Sequence, residues 1–313
     1  MPPAARCCVW EPRSSVRALR EDPPARRVYL RALHKPSVST AVTSFSTAFI
    51  GAGNMAFSMI GGLIDAGTDP ALLRASDRSE AQLQRLRELG VGVLDTDNQR
   101  VARDADVVVL AVKPQLMREV CEALAPAISP GQLVISIAAG IGAAAIGQWL
   151  DDKPALVRCM PNTPSLLGAG ASGMFALEGV SDEQRKQAET IMGAVGVVRW
   201  VSDEPQLHAV TAVSGSAPAY FFLFMEAMIA EGERMGLDSE SVRILCAQAC
   251  IGAGRMVAAG DVDAAELRRR VCSPGGTTER AVAVLRDGHL EDLVGAAMRA
   301  CYRRSEEMAK ELS

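Results

Sequence analysis

"STAFIGAGNMAFSMIGGLIDAG", residues 46–67, decides how the rest of the sequence is read. Ala48, Phe49 and Ile50 make a short apolar strand. Gly51, Gly53 and Ala56 follow as a G-x-G-x-x-A turn, and Met59, Ile60, Leu63 and Ile64 then recur at helical spacing. Gly51 permits a tight turn, Gly53 lets the backbone approach a pyrophosphate, and Ala56 allows close helix–strand packing. The helix start behind them offers unpaired N–H groups and a positive dipole end to an anion. Alone, such a pattern is weak; between a strand and a helix it reads as a dinucleotide site. Cofactor contacts are therefore expected from Gly51, Ala52, Gly53, Asn54 and Met55.

Downstream, strand-like and helix-like segments alternate. "LLRASD" (72–77), "ADVVVLAVKP" (105–114), "QLVISIAAG" (132–140) and "ALVRCMPNTP" (155–164) read as strands, with helices at Glu80–Leu89 and Val120–Ala127. That order predicts a parallel α/β sheet with ligands beyond the carboxyl ends of its strands. Val112, Lys113 and Pro114, then Ala138–Gly140, then Met160–Pro164 with Asn162, are expected to line one crevice. The loop after the second strand discriminates between cofactors: an acid there holds the ribose of NAD, and an Arg accommodates the 2′-phosphate of NADP. "ASDRS" contains both, Asp77 and Arg78, flanked by Ser76 and Ser79. NADPH through Ser76 and Arg78 is the favoured reading, with NADH as the alternative.

From about residue 206 the pattern turns wholly helical: His208–Met235, Ser239–Ala259, Ala264–Arg270, Thr277–Arg286 and Leu290–Leu312. Phe221, Phe224, Met225, Met228 and Ile229 form an apolar stripe at helical spacing. The expected organisation is a Rossmann-type dinucleotide-binding domain over 45–205 and an all-α domain over 206–313. A helical half of only about a hundred residues is marginal alone, which points to dimerisation. The first 44 residues are rich in Arg and Pro, poor in acids and without apolar periodicity. They read as a transit peptide or as translated upstream sequence with a start near Val42, and in both cases stand outside the fold, disordered and dispensable.

The 313 residues are 22% charged and 49% hydrophobic, an ordinary globular composition. A net charge of -4 gives no electrostatic reason for nucleic acid or an anionic membrane as partner. No uninterrupted apolar run reaches the length that a membrane-spanning helix needs. The eight cysteines form no CxxC and no paired zinc spacing, so they read as packing in a reducing, cytoplasmic compartment, with no metal site.

"FIGAGNMA" (49–56), "AVSGSAPAYFF" (212–222) and "ELRRRVCSPGGTTERAV" (266–282), in this order, resemble the pyrroline-5-carboxylate reductase family. "VVLAVKPQ" (108–115) and "VRCMPNTP" (157–164) add to the resemblance, which runs from about Phe49 to the C-terminus. SPGGTT is its most specific part. Ala217 departs from the SGSGPAY usual in the family, which bears on local backbone geometry. The resemblance implies reduction of L-1-pyrroline-5-carboxylate to L-proline with NAD(P)H, the last step of proline biosynthesis. It further implies a helical domain interleaved with that of a second subunit, in homodimers or larger assemblies of dimers.

That substrate is a small ring with one carboxylate and one imine. A helix opening at Gly276, Thr277 and Thr278 presents backbone N–H groups to an anion. Gly275 and Gly276 let the carboxylate come close, Pro274 stiffens the approach, and Ser273 adds a hydroxyl. Carried over by position from the family, Thr278 is the catalytic residue, its hydroxyl meeting the ring nitrogen. The amides of Gly276 and Thr277 with Ser273 are expected to hold the carboxylate. The chain has three histidines, His34, His208 and His289. An alcohol or ketone dehydrogenase needs a general acid–base, whereas an imine is basic enough to take its proton before hydride arrives. Ser214 and Ser216 read first as a close helix crossing. A β-hydroxyacid dehydrogenase on the same plan would want a lysine between SGSAPAY and SPGGTT, where only arginines stand; a non-catalytic NADP(H) sensor would not need SPGGTT.

Overall fold

The structure is a computed structural model and describes residues 44–312, so the expectations for the leader lie outside the described residues. β1 (Thr47–Ile50), α1 (Asn54–Asp65), β2 (Leu73–Ser76), α2 (Glu80–Arg87), β3 (Val93–Asp95) and α3 (Asn98–Ala102) come first. β4 (Val107–Leu110), α4 (Met117–Leu124), β5 (Leu133–Ser136), α5 (Ala143–Trp149) and β6 (Ala155–Met160) follow. β7 (Gly170–Ala176), α6 (Asp182–Gly193) and β8 (Gly196–Trp200) complete a sheet ordered β3-β2-β1-β4-β5-β6-β7-β8. All neighbours pair in parallel except β6 and β7, which are antiparallel.

β1, β4 and β5 are buried at every position. Their side chains alternate between two cores. Phe49, Val107, Val109 and Leu133 pack with Met59, Ile60 and Leu63 of α1 on one face. Ile50, Val108, Leu110 and Val134 pack with Met117, Leu124 and Ile146 on the other. An uninterrupted apolar tetrapeptide therefore forms a strand here because both faces are covered. The parallel α/β expectation holds, while the strands are shorter than expected: 105–114 contributes only Val107–Leu110, and Lys113 and Pro114 turn outward into a 3₁₀ turn. Residues 165–205, for which the sequence pattern predicts no element, hold β7, α6 and β8. α6 starts at a capping box in which Ser181 and Gln184 satisfy one another's backbone N–H, a legible signal.

After β8 the chain is helical: α7 (Gln206–Val210), a π turn (Thr211–Gly215), α8 (Ala217–Arg234), α9 (Ser239–Ala259), α10 (Ala264–Val271), α11 (Thr277–Asp287) and α12 (Leu290–Leu312). The single helix expected over His208–Met235 is thus three pieces. Pro218 in the first turn of α8 has no N–H to continue the ladder, and the wide turn before it absorbs the mismatch. Phe221, Phe222 and Leu223 are 57%, 60% and 69% exposed. Gln206–Arg234 and Ser239–Ala259 each reach a mean hydropathy of 1.3, with length and composition sufficient to cross a membrane, and are hardly buried in the single chain. Neither contains an uninterrupted apolar run of that length, in keeping with the sequence reading. Apolar faces of this extent call for a cover.

α1 meets the C-terminal end of α6 at Gly62. A Cβ added there would stand 2.6 Å from the Ala194 carbonyl oxygen and 3.0 Å from Val195 Cγ1. Backbone cannot swing aside, so Gly62→Ala should cost about 1–3 kcal/mol, read as a lower denaturant midpoint at unchanged slope. An unchanged midpoint would mean that the helix contact is loose.

Candidate active site

The turn between β1 and α1 is shaped by two glycines in different ways. Gly51 has φ +96°, and a Cβ there would stand 2.9 Å from the Ala111 carbonyl oxygen at the end of β4. A side chain at Gly53 would meet nothing within 4 Å, which leaves that side of the turn open. α1 begins with no side-chain cap, so the N–H groups of Asn54, Met55 and Ala56 face outward unpaired. Those features fit a pyrophosphate. The Ala52 N–H is committed elsewhere, donating to Asp77 Oδ2 at 2.8 Å, and the Gly51 N–H donates to the Ser76 carbonyl at 2.9 Å. Arg85 lies over the Phe57 ring at 4.1 Å and reaches Asn54 Oδ1 at 3.3 Å.

Beside this turn the loop after β2 separates the expected cofactor residues. Ser76 is fully buried, and its hydroxyl donates to Asn98 Oδ1 at 2.7 Å, so it holds α3 and has no free face for a cofactor. Arg78 and Ser79 are exposed. The remaining wall stands at the ends of neighbouring strands: Val112, exposed Lys113 and Pro114 after β4, and buried Ala138 after β5. Two expected wall residues have other work. Gly140 lies under α12, against Met308 and Leu312. Asn162, 8% exposed, accepts from the Ala171 N–H at 2.8 Å and donates to the Ser214 carbonyl at 3.0 Å. Its amide ties β6 to the π turn instead of standing free in the crevice. Gly215 packs on the Met160 side chain at the end of β6 beside it, a contact with a strand end where a helix crossing was expected.

The SPGGTT loop joins α10 to α11 and is largely exposed. Gly275 has φ +70°, and a Cβ at Gly276 would press within 2.9 Å of the Ser273 carbonyl oxygen. Gly276 caps α11 without a side-chain hydrogen bond. Its own N–H donates to the Ser273 carbonyl at 2.9 Å, and the Gly275 N–H donates to Glu279 Oε2 at 2.7 Å. The Gly276 amide, expected to hold a carboxylate, is thus engaged within the loop, and the amides of Thr277, Thr278 and Glu279 are the open donors. Among the described residues no hydrogen bond or ion pair joins this loop to the sheet.

Comparison with known proteins decides the family. Residues 204–308 match the family described as pyrroline-5-carboxylate reductase dimerisation, and residues 46–140 match that described as NADP oxidoreductase, coenzyme F420-dependent. The pyrroline-5-carboxylate reductase of Pseudomonas aeruginosa is 51% identical over 266 residues, 85% of this chain and 97% of that protein. The chain belongs to the pyrroline-5-carboxylate reductase family. Among solved structures, the family member from Coxiella burnetii superposes with a TM-score of 0.82 at 43% identity, covering 85% of this chain and 99% of that one. The Plasmodium falciparum enzyme, solved with NADP bound, gives 0.76 at 27% identity over 86% and 100%. As a member of the pyrroline-5-carboxylate reductase family, the chain is an NAD(P)H-dependent oxidoreductase, with a Rossmann-type N-terminal region and a mostly helical dimerisation region.

Sequence reasoning missed the residues by which this reductase joins its two regions. Glu204, between β8 and α7, accepts from Arg158 Nη1 at 2.8 Å and from the Ala143 N–H at 2.7 Å. One carboxylate oxygen thus ties α7 to β6 and to the start of α5, next to the crevice wall. His208 Nδ1 lies 2.8 Å from Ser305 Oγ of α12, and burial, with Arg158 nearby, pushes its imidazole below the usual range. No motif marks either residue; the pairing is visible only in three dimensions. The cysteines fit packing: burial pushes Cys121 and Cys159 each up to about 12. The Arg158 side chain is 8% exposed. Glu204→Ala would strand its charge, which should cost about 3 kcal/mol or more in denaturant unfolding. A loss under about 1 kcal/mol would place the pair with ordinary surface ion pairs.

Proposed function

We propose that the chain reduces L-1-pyrroline-5-carboxylate to L-proline, the final step of proline biosynthesis, with Thr278 as its catalytic residue. The SPGGTT cradle carries this reading: an uncapped helix start, opened by two glycines, in a chain of this family. The substrate carboxylate is held by the open amides of Thr277, Thr278 and Glu279 with the Ser273 hydroxyl, and the Thr278 hydroxyl sits at the ring nitrogen. Bound NAD(P)H supplies the hydride. Everything else the chain does is positioning: it fixes the ring, excludes water and steadies the proton on nitrogen. NADPH is the preferred cofactor, since exposed Arg78 and Ser79 suit a 2′-phosphate.

The working unit is a homodimer, or an assembly of dimers, with the domain boundary near Glu204-Pro205. A second copy, and not lipid, covers the apolar faces of α8 and α9, and the dimer is the unit in which cradle and crevice meet. The compartment is the cytoplasm. Sedimentation at micromolar concentration should give twice the chain mass or a multiple; a stable monomer with full activity would exclude this arrangement.

Activity is tested by loss of NADPH absorbance with L-1-pyrroline-5-carboxylate, against hydroxyacids with NADP⁺. Thr278→Ala should lower kcat by about 10²-fold while NADPH affinity stays near wild type. Ser273→Ala should act on the imino-acid KM, because the carboxylate is held alike before and during hydride transfer. Normal turnover by Thr278→Ala would move proton placement to water or to another side chain.

A further inference from the structure

We propose that Asp77 is a positioning residue for the cofactor, a clamp between the glycine turn and the loop after β2, and not the acceptor of the adenosine ribose. This rests on the reading of the crevice as an NAD(P)H site and deepens it. From the sequence, Asp77 stands where an acid selects NAD, next to an arginine that would select NADP. The structure gives its carboxylate a different task. Oδ2 accepts the Ala52 N–H at 2.8 Å, and Oδ1 accepts the Ser79 N–H at 2.8 Å. Ala52 lies between the two turn glycines, and Ser79 is the N-cap of α2.

With each oxygen on a backbone donor, the carboxylate is held in one orientation across the seam between the turn and the loop. Two neighbouring bonds strengthen the same seam. The Gly51 N–H donates to the Ser76 carbonyl, and the Ser76 hydroxyl donates to Asn98 at the start of α3. The turn is thereby stitched to the end of β2, and the clamp reaches one step further, to the residues that would face a 2′-phosphate. α2 has no side-chain cap from Ser79, whose hydroxyl is left free next to exposed Arg78. In this arrangement Asp77 sets the distance between the pyrophosphate amides and the adenosine end for either cofactor. Discrimination falls to Arg78 and Ser79.

Three variants test this, Asp77→Ala, Asp77→Asn and Arg78→Ala, each checked for native circular dichroism. Amide hydrogen exchange of Ala52 and Ser79 is read by NMR in cofactor-free protein, and Kd for NADPH and for NADH by fluorescence titration. Asp77→Ala should speed exchange at both amides and raise both Kd values by a similar factor, about tenfold. The loss should enter through the cofactor KM more than through kcat. Asp77→Asn keeps one acceptor oxygen and should fall between, which also serves if the alanine variant does not fold. Arg78→Ala should weaken NADPH alone and leave the two amides protected. Loss confined to NADH with a gain for NADPH would make Asp77 a ribose acceptor and overturn the proposal. Unchanged Kd values, with or without faster exchange, would overturn it as well. A wild-type protein that binds both cofactors through an intact clamp but does not oxidise NADPH with the imino acid would sink the functional reading alone. One that binds neither would sink both.

Discussion

Burial of β1, β4 and β5 on both faces is the constraint on which the rest depends. Thr47–Ile50, Val107–Leu110 and Leu133–Ser136 are fully enclosed, so their backbones can be satisfied only by neighbouring strands and their side chains only by helices above and below. Parallel strands need crossovers, and the crossovers bring the carboxyl ends of β1 to β6 to the same edge. Gly51, Val112 and Ala138 therefore share an edge as a consequence of packing. The left-handed Gly51 then lets β1 close on Ala111 without a side chain between them, leaving the helix start behind it open to an anion.

The segments legible in sequence were those with one dominant signal. The glycine turn, the apolar tetrapeptides and the long helices α9 and α12 each had a pattern that no partner needed to complete. What escaped had its cause elsewhere in space. β8 alternates half-buried and exposed residues, and becomes a strand by pairing with β7. The amide of Asn162 points away from the crevice because the Ser214 carbonyl of an interrupted helix lies opposite it. Ser76 looked like a cofactor ligand by position, and Asn98 takes its hydroxyl. Polar side chains go to the nearest unsatisfied partner, and in a buried loop that partner is usually backbone.

The helical region obeys a different rule. Its helices are amphipathic around too much of their circumference for one copy to cover. α8 and α9 hold one another along a seam and leave Phe222, Leu223, Ile244 and Leu245 on the outside. A sheet domain gains its stability within one chain; this region gains its own by association. The Glu204–Arg158 pair and the Asn162–Ser214 bond are the polar fastenings between the two regimes, and both lie within a few residues of the crevice wall. Orientation of the helices relative to the crevice is thus set at the site's own margin.

Imine chemistry then makes sense of how little acid–base equipment the site contains. His208 is packed against Tyr302 and Ser305 and depressed by burial, and His289 is exposed at the start of α12. Neither belongs to the cradle or the crevice. A carbonyl reductase would have no histidine here to protonate its alkoxide. A protonated imine needs none at the moment of hydride transfer, because positive charge on the ring nitrogen is being neutralised as the new C–H bond forms. What it does need is a fixed ring, with carboxylate and nitrogen held at two points so that one face meets the nicotinamide. On the proposed reading, the α11 start amides and the Thr278 hydroxyl would supply two such points on one rigid element, and the positive dipole end that attracts the carboxylate would be tolerated because the nitrogen's own charge disappears in the reaction.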